Sequence, residues 1–233
     1  MKDLNIPNFL TVMRVVSVPF FIYFLFGSSQ LFRFIAFLLF LFASITDLFD
    51  GYLARKWNQE TEFGKFMDPM ADKILVIGAL ITFLFLSAQV KVWMVLVIIG
   101  RDMLITVLRY LAIQNGKSLR TSRLGKIKTA FQMISIAVIL VSLFVLTYKE
   151  TGMINEEYRL AAEGGWNTWA LATEKMWTFL DGRAKSWHYG LASFLPFYLM
   201  LVTTILTVIS GLRYLVTNFN LLWPPSQIFG KRK

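Results

Sequence analysis

Apolar residues gather into six blocks along the chain, at about 8–27, 31–49, 70–89, 92–113, 125–147 and 190–217. Each is close to the twenty or so residues that carry a helix across a bilayer. A helix is the form that satisfies its own backbone there. The pattern predicts an all-α integral membrane protein of six transmembrane helices, organised as one domain over 1–233. The first block is not read as a signal peptide: Arg14 interrupts it, no small-residue cleavage site follows, and five more blocks come after. Gly27–Gln30 and Ser87–Lys91 are short connections, while 51–68 is polar and charged and 114–124 is basic. The long connection at 148–189 holds Trp166, Trp169, Trp177 and Trp187 among charges that recur every few residues. Trp favours the membrane–water interface, so 156–182 is expected to be helical and to lie at the membrane surface.

Six spans put both termini on one side. That side carries Arg55, Lys56, Lys65, Lys117, Arg120, Arg123, Lys126, Lys128, Lys231, Arg232 and Lys233. The other side has Arg33 and Lys91, plus a long loop whose five basic and six acidic residues nearly cancel. The positive-inside rule makes the first side cytoplasmic, so 148–189 becomes an extracytoplasmic insertion between the fifth and sixth spans.

Composition narrows the chemistry. Hydrophobic residues make up 56% and charged residues 16%, against about 25% charged in soluble domains. The mean hydropathy is +0.58. This argues against a soluble enzyme and excludes disorder. Cysteine is absent and His188 is the single histidine. Thiol catalysis, cysteine-ligated zinc and a multi-histidine metal site are thereby excluded, and carboxylates must do any metal or acid–base work. A net charge of +10 on a membrane protein suits anionic lipid headgroups or phosphate substrates, rather than nucleic acid.

Ionisable residues at span ends are expensive and mark function. Asp47 and Asp50 close the second block, three residues apart and on one helix face. Asp68 and Asp72 open the third, four residues apart. The two spans meet at the cytoplasmic face, so four carboxylates converge. Their mutual repulsion is relieved by cations, and oxygen-only ligands select Mg²⁺, Mn²⁺ or Ca²⁺. Two such ions balance four charges and suit in-line phosphoryl chemistry. Gly51, Ala54 and Gly64 leave room for a bulky ligand, and Arg55 is placed to meet phosphate. Taken singly, the same residues have plainer readings. Asp50-Gly51 reads as a helix-to-loop turn, Asp68-Pro69 as an N-cap with Pro at the first helical position, and Arg55-Lys56 as a topology signal.

Together, Asp47-Leu-Phe-Asp50-Gly51-Tyr-Leu-Ala54-Arg55 and Gly64-Lys-Phe-Met-Asp68-Pro-Met-Ala-Asp72 resemble the motif of the CDP-alcohol phosphatidyltransferase family. That motif reads D-x-x-D-G-x-x-A-R, a spacer, then G-x-x-x-D-x-x-x-D, and all eight positions match. The resemblance implies a six-span fold and transfer of a phosphatidyl group from a CDP-linked donor to an alcohol, with release of CMP. It implies two divalent cations, Mg²⁺ or Mn²⁺, held by Asp47, Asp50, Asp68 and Asp72. Asp72 is also implied as the general base on the acceptor hydroxyl, and Gly51, Ala54, Arg55 and Gly64 as the nucleotide side. It further implies a homodimer in a bacterial inner membrane, with the active site facing the cytoplasm.

The acceptor is read from three further stretches: Asn5 to Arg14, Arg101 to Arg109, and Thr121 to Thr129. They resemble family members that use glycerol 3-phosphate and CDP-diacylglycerol. Cardiolipin synthases look alike at the first two, but commonly carry Asn at the position of Lys128. A small dianion needs an Arg/Lys pocket, and Arg101, Arg109, Arg123, Lys126 and Lys128 are the candidates. Anionic lipid contact is the other reading of such a cluster. Asp102 and Arg109, seven apart, are expected to form an ion pair. Asn8 and Thr11 are candidate nucleotide contacts, with helix capping as their other reading, and Arg14 is expected to face a polar cavity. The rivals are a cardiolipin synthase or another acceptor within the family, and outside it a cation channel or transporter.

Overall fold

The computed structural model describes residues 6–57, 62–114 and 123–222, with side chains for 12–46, 73–112, 114 and 123–218. The chain is all-helical, with no strand among the described residues. Six long helices coincide with the six apolar blocks: α1 (Ile6–Phe26), α2 (Gln30–Trp57), α3 (Glu62–Leu86), α4 (Val92–Gln114), α5 (Arg123–Val145) and α9 (Leu195–Leu222). Three shorter ones, α6 (Tyr148–Glu163), α7 (Thr168–Leu180) and α8 (Trp187–Ala192), fill the long connection. Two stretches are long and apolar enough on their described residues to cross a membrane, Arg123–Val145 and Trp187–Asn218. Large apolar side chains such as Phe20, Tyr23, Phe85, Leu96 and Val216 point outward. Arg14, Lys128, Gln132, Ser135 and Thr207 are buried. So many large apolar side chains on the outside suit lipid, not water.

The chain falls into two compact units. The first holds α1–α3, the second half of α5, α6–α8 and the start of α9. In it α1 lies along α2 and α3, with Phe21 against Phe40 and Val18 and Leu25 in the interior. The second holds α4, the first half of α5 and the rest of α9, with Ile105, Ala112 and Tyr214 forming a buried apolar cluster.

Three sequence expectations change. The polar stretch 51–68 is mostly helix, not loop. α2 runs on to Trp57, because Leu53, Ala54, Arg55 and Lys56 are strong helix formers that outweigh the single Gly51. Asp68 is not an N-cap, because α3 already starts at Glu62. Pro69 therefore sits inside the helix, where it has no N–H for the Lys65 carbonyl. The third change is smaller: 156–182 is two helices. α6 begins earlier, at a capping box. The Thr147 hydroxyl accepts from the Glu150 N–H, and the Glu150 carboxylate accepts from the Thr147 N–H. α6 and α7 end where Gly165 and Gly182 take positive φ, 79° and 69°. There the N–H groups of Trp166 and Arg183 reach back to the carbonyls of Ala161 and Thr178, a left-handed exit that glycine accepts without a Cβ penalty.

Long-range hydrogen bonds fasten this segment to the helix ends of its own unit. Asn155 accepts from the Ala88 N–H and donates to the Leu86 carbonyl. Gln89 donates to the Ala192 carbonyl, and Tyr158 to that of Ser193. Buried Arg33 donates to the Leu143 carbonyl at 2.9 Å and to Thr151 Oγ1 at 3.0 Å, with the Tyr148 ring 5.5 Å away. The segment's charges pair within it: Arg159 with Glu156 and Glu163, Lys175 with Glu157, and Arg183 with Asp181. Trp166, Trp169, Trp177 and Trp187 are all exposed.

The Thr147 backbone N–H and hydroxyl hold the Glu150 carboxyl below its ordinary range, and nearby His188 adds to this. A lowered carboxylate stabilises above its unfolded value, about 4.3, and that contribution is lost as pH falls through the folded value. Thr147→Ala is expected to cost about 1 kcal/mol at neutral pH. It should also flatten the acid dependence below about pH 4.3. Thermal unfolding followed by circular dichroism across pH 3–7 checks both.

Candidate active site

The aspartate motif lies on two continuous helices. α2 has 28 residues, about 42 Å at 1.5 Å per residue, against a hydrocarbon core of about 30 Å. Its last turns, with Asp47, Asp50, Gly51, Ala54 and Arg55, extend the helix beyond the apolar stretch Gln30–Thr46. α3 likewise carries Gly64, Asp68 and Asp72 ahead of the apolar stretch Lys73–Leu86. Both helices belong to the first unit; each packs along α1, and they touch one another only locally among the described residues. Asp47 and Asp50 share a face at i,i+3, and Asp68 and Asp72 at i,i+4. The side chains of all these residues lie outside the described ones, as do those of Asn8 and Thr11 on α1. As a donor set, four carboxylates on adjoining helices fit hard divalent cations. Among the described residues no three acidic or histidine side chains come together. Arg14, two to three turns along α1, is 1% exposed.

The second unit holds a buried polar seam whose geometry is fully described. On α5, Lys128, Gln132 and Ser135 are buried at i, i+4 and i+7. On α9, Thr203, Thr207 and Ser210 repeat the same spacing. Thr203 donates to Ser135 at 3.1 Å, joining the two stripes. α4 contributes Arg101 and Asp102. The Asp102 carboxylate accepts from Lys128 Nζ at 2.7 and 2.6 Å and from Arg101 Nη1 at 3.1 Å. Arg101 Nη2 donates to Ser210 Oγ at 2.9 Å. Two cations therefore share the Asp102 carboxylate. The Gln132 amide nitrogen, the Tyr214 hydroxyl and Arg101 Nε are buried without a hydrogen-bond partner among the described residues. Donors of this kind suit an oxyanion.

The seam brings together Arg101 and Lys128 of the five basic candidates. Arg109, Arg123 and Lys126 are exposed on α4 and α5. The ion pair expected between Asp102 and Arg109 is not the one formed. Arg101 and Lys128 take the carboxylate, because they reach it from the neighbouring position and from a facing helix. Sequence reasoning passed over Gln132, Ser135, Thr203, Thr207 and Ser210. Their signal was present as polar residues at i, i+4 and i+7 within apolar helices, the spacing of one face.

A sequence model of the family described as CDP-alcohol phosphatidyltransferase matches residues 4–182. Curated relatives carry the name CDP-diacylglycerol–glycerol-3-phosphate 3-phosphatidyltransferase. The protein of Rickettsia bellii is 42% identical over 137 residues, 59% of this chain and 75% of its own. That of Rickettsia felis is 41% identical over 152 residues, 65% of this chain and 81% of its own. That of Escherichia coli K12 is 40% identical over 142 residues, 58% of this chain and 76% of its own.

The seam predicts an asymmetry in stability. Asp102→Ala removes the anion beside Lys128, which is 2% exposed, and is expected to cost about 3–5 kcal/mol. Lys128→Met is expected to cost less, since Asp102 is 24% exposed and keeps Arg101. Thermal unfolding of the two variants in detergent gives the order.

Proposed function

The chain belongs to the CDP-alcohol phosphatidyltransferase family, and on that premise we propose that it transfers the phosphatidyl group of CDP-diacylglycerol to glycerol 3-phosphate. The products are phosphatidylglycerophosphate and CMP. The observation that carries this reading is the agreement of the motif with the relatives. All eight motif positions are present on α2 and α3, and the relatives at about 40% identity bear the name of that reaction.

The enzyme works within a membrane. We place the six long helices as spans, with the motif ends of α2 and α3 at the cytoplasmic face, because the basic residues concentrate on that side. The insertion at 148–189 then lies outside. The acyl chains of the donor enter from the bilayer and the polar acceptor from the cytoplasm. Family members use divalent cations, and Asp47, Asp50, Asp68 and Asp72 are the residues that would hold them. Bound there, Mg²⁺ or Mn²⁺ would neutralise the donor's diphosphate and the charge on departing CMP.

The chain's own groups supply the rest. Asp72 takes the proton of the acceptor hydroxyl as its oxygen attacks the phosphorus that bears diacylglycerol. A new P–O bond forms, the P–O bond to CMP breaks, and the leaving CMP carries the electron pair. Gly51, Ala54 and Gly64 leave room for the nucleotide, and Arg55 pairs with its phosphate. Arg101 and Lys128 bind the acceptor's phosphate, with Arg109, Arg123 and Lys126 drawing it in from solution.

Detergent-purified protein is expected to release CMP from CDP-diacylglycerol with glycerol 3-phosphate. It should not do so with phosphatidylglycerol, serine or inositol phosphate. Chelation of divalent cations should abolish release and Mg²⁺ or Mn²⁺ restore it. Asp72→Asn should lower kcat by about 10²-fold or more while donor binding persists, whereas Asp47→Asn should lose donor binding. Release with phosphatidylglycerol instead would make the enzyme a cardiolipin synthase. Ion flux without CMP release would favour a channel.

A further inference from the structure

On α9 a hydroxyl and a bare backbone stand side by side against Arg101. Ser210 is 1% exposed. Its Oγ accepts from Arg101 Nη2 at 2.9 Å and donates to the Thr207 carbonyl at 3.1 Å. Gly211 follows it, also buried. A Cβ at Gly211 would lie 3.1 Å from Arg101 Cγ and 3.5 Å from Nε. The stem of Arg101 therefore runs over the glycine, and its head is fixed from two sides by Ser210 and Asp102.

Fixing a guanidinium in this way ties α4 to α9. It also matters for binding. A preorganised fork loses less rotamer freedom when it meets an oxyanion. Ser210 and Asp102 occupy one N–H each of the five on the guanidinium. Nε, buried without an acceptor among the described residues, remains as a donor.

We propose that Ser210 and Gly211 are positioning residues that hold Arg101 as a preformed clamp for the phosphate monoester of the acceptor. This rests on the reading that Arg101 meets glycerol 3-phosphate. The donor's diphosphate has related chemistry, and the two sources are separable by kinetics.

The experiment uses the full-length protein in detergent and follows CMP release with each substrate varied in turn. Ser210→Ala is expected to raise KM for glycerol 3-phosphate about tenfold, the loss of one hydrogen bond to a charged group. The kcat and the KM for CDP-diacylglycerol should stay within about twofold, which is under 0.5 kcal/mol. Ser210→Thr, which keeps the hydroxyl, should recover most of the loss. Gly211→Ala should raise the same KM modestly and Gly211→Val further, because the added carbon displaces the Arg101 stem. Melting temperatures separate this from a packing defect. An unchanged acceptor KM in Ser210→Ala would overturn the proposal. So would a rise confined to the donor KM, or a loss of kcat that tracks loss of stability.

A second readout needs no turnover. Inorganic phosphate and glycerol 3-phosphate should each raise the melting temperature of the parent protein, and Ser210→Ala should need about tenfold more ligand for the same rise. If the parent releases no CMP with glycerol 3-phosphate yet shows phosphate protection that Ser210→Ala weakens, the clamp stands and the acceptor reading falls. If neither ligand protects, the clamp falls as well.

Discussion

An ionised side chain inside an apolar helix bundle has to be answered where it stands, because solvent cannot reach it and desolvation costs several kcal/mol per ion. The described structure is arranged around that constraint. Lys128 is answered by both oxygens of Asp102, and Asp102 in turn ties Arg101 to the cluster. That one network joins α4 to α5, and through Ser210 it reaches α9. The second unit is thus held by polar contacts at its centre and by apolar side chains around them.

The first unit solves the same problem without a carboxylate. Arg33 donates to the Leu143 carbonyl in the last turn of α5, where the helix dipole is negative. Thr151 and the Tyr148 ring complete its surroundings. Both belong to the first turn of α6, so neutralising Arg33 also fixes the entrance of the insertion. Asn155, Gln89 and Tyr158 repeat the device with neutral groups on loop and helix-end backbone. With its own ion pairs closed and its tryptophans outward, the insertion has the features of a surface plate fastened at its polar edge. The aspartate motif of the family lies elsewhere, on α2 and α3.

The motif was legible in the sequence because its spacing is local: i,i+3 and i,i+4 carboxylates on helices need no knowledge of what lies across from them. The seam was legible only in part. Arg101 and Lys128 stood out as charges within apolar blocks. Ser210 and Gly211 did not, since nothing local to α9 says that an arginine 109 residues away in sequence rests on them.

By itself, then, the sequence determined the six long helices, the eight motif positions and the tryptophan-rich connection. Each follows from composition over a window or from spacing within one helix. The tertiary structure decided what depends on partners from elsewhere in the chain. It made Asp102 the counterion of Lys128 rather than of Arg109, and it let Asn155 and Arg33 dock the insertion. It also carried α2 through Asp50-Gly51 to Trp57 and started α3 ahead of Asp68. In the last case local turn and cap propensities, worth about 1 kcal/mol each, were outweighed by the helix-forming residues on either side. In the others, a charge or amide shut away from water took whichever partner the packing brought within hydrogen-bond reach.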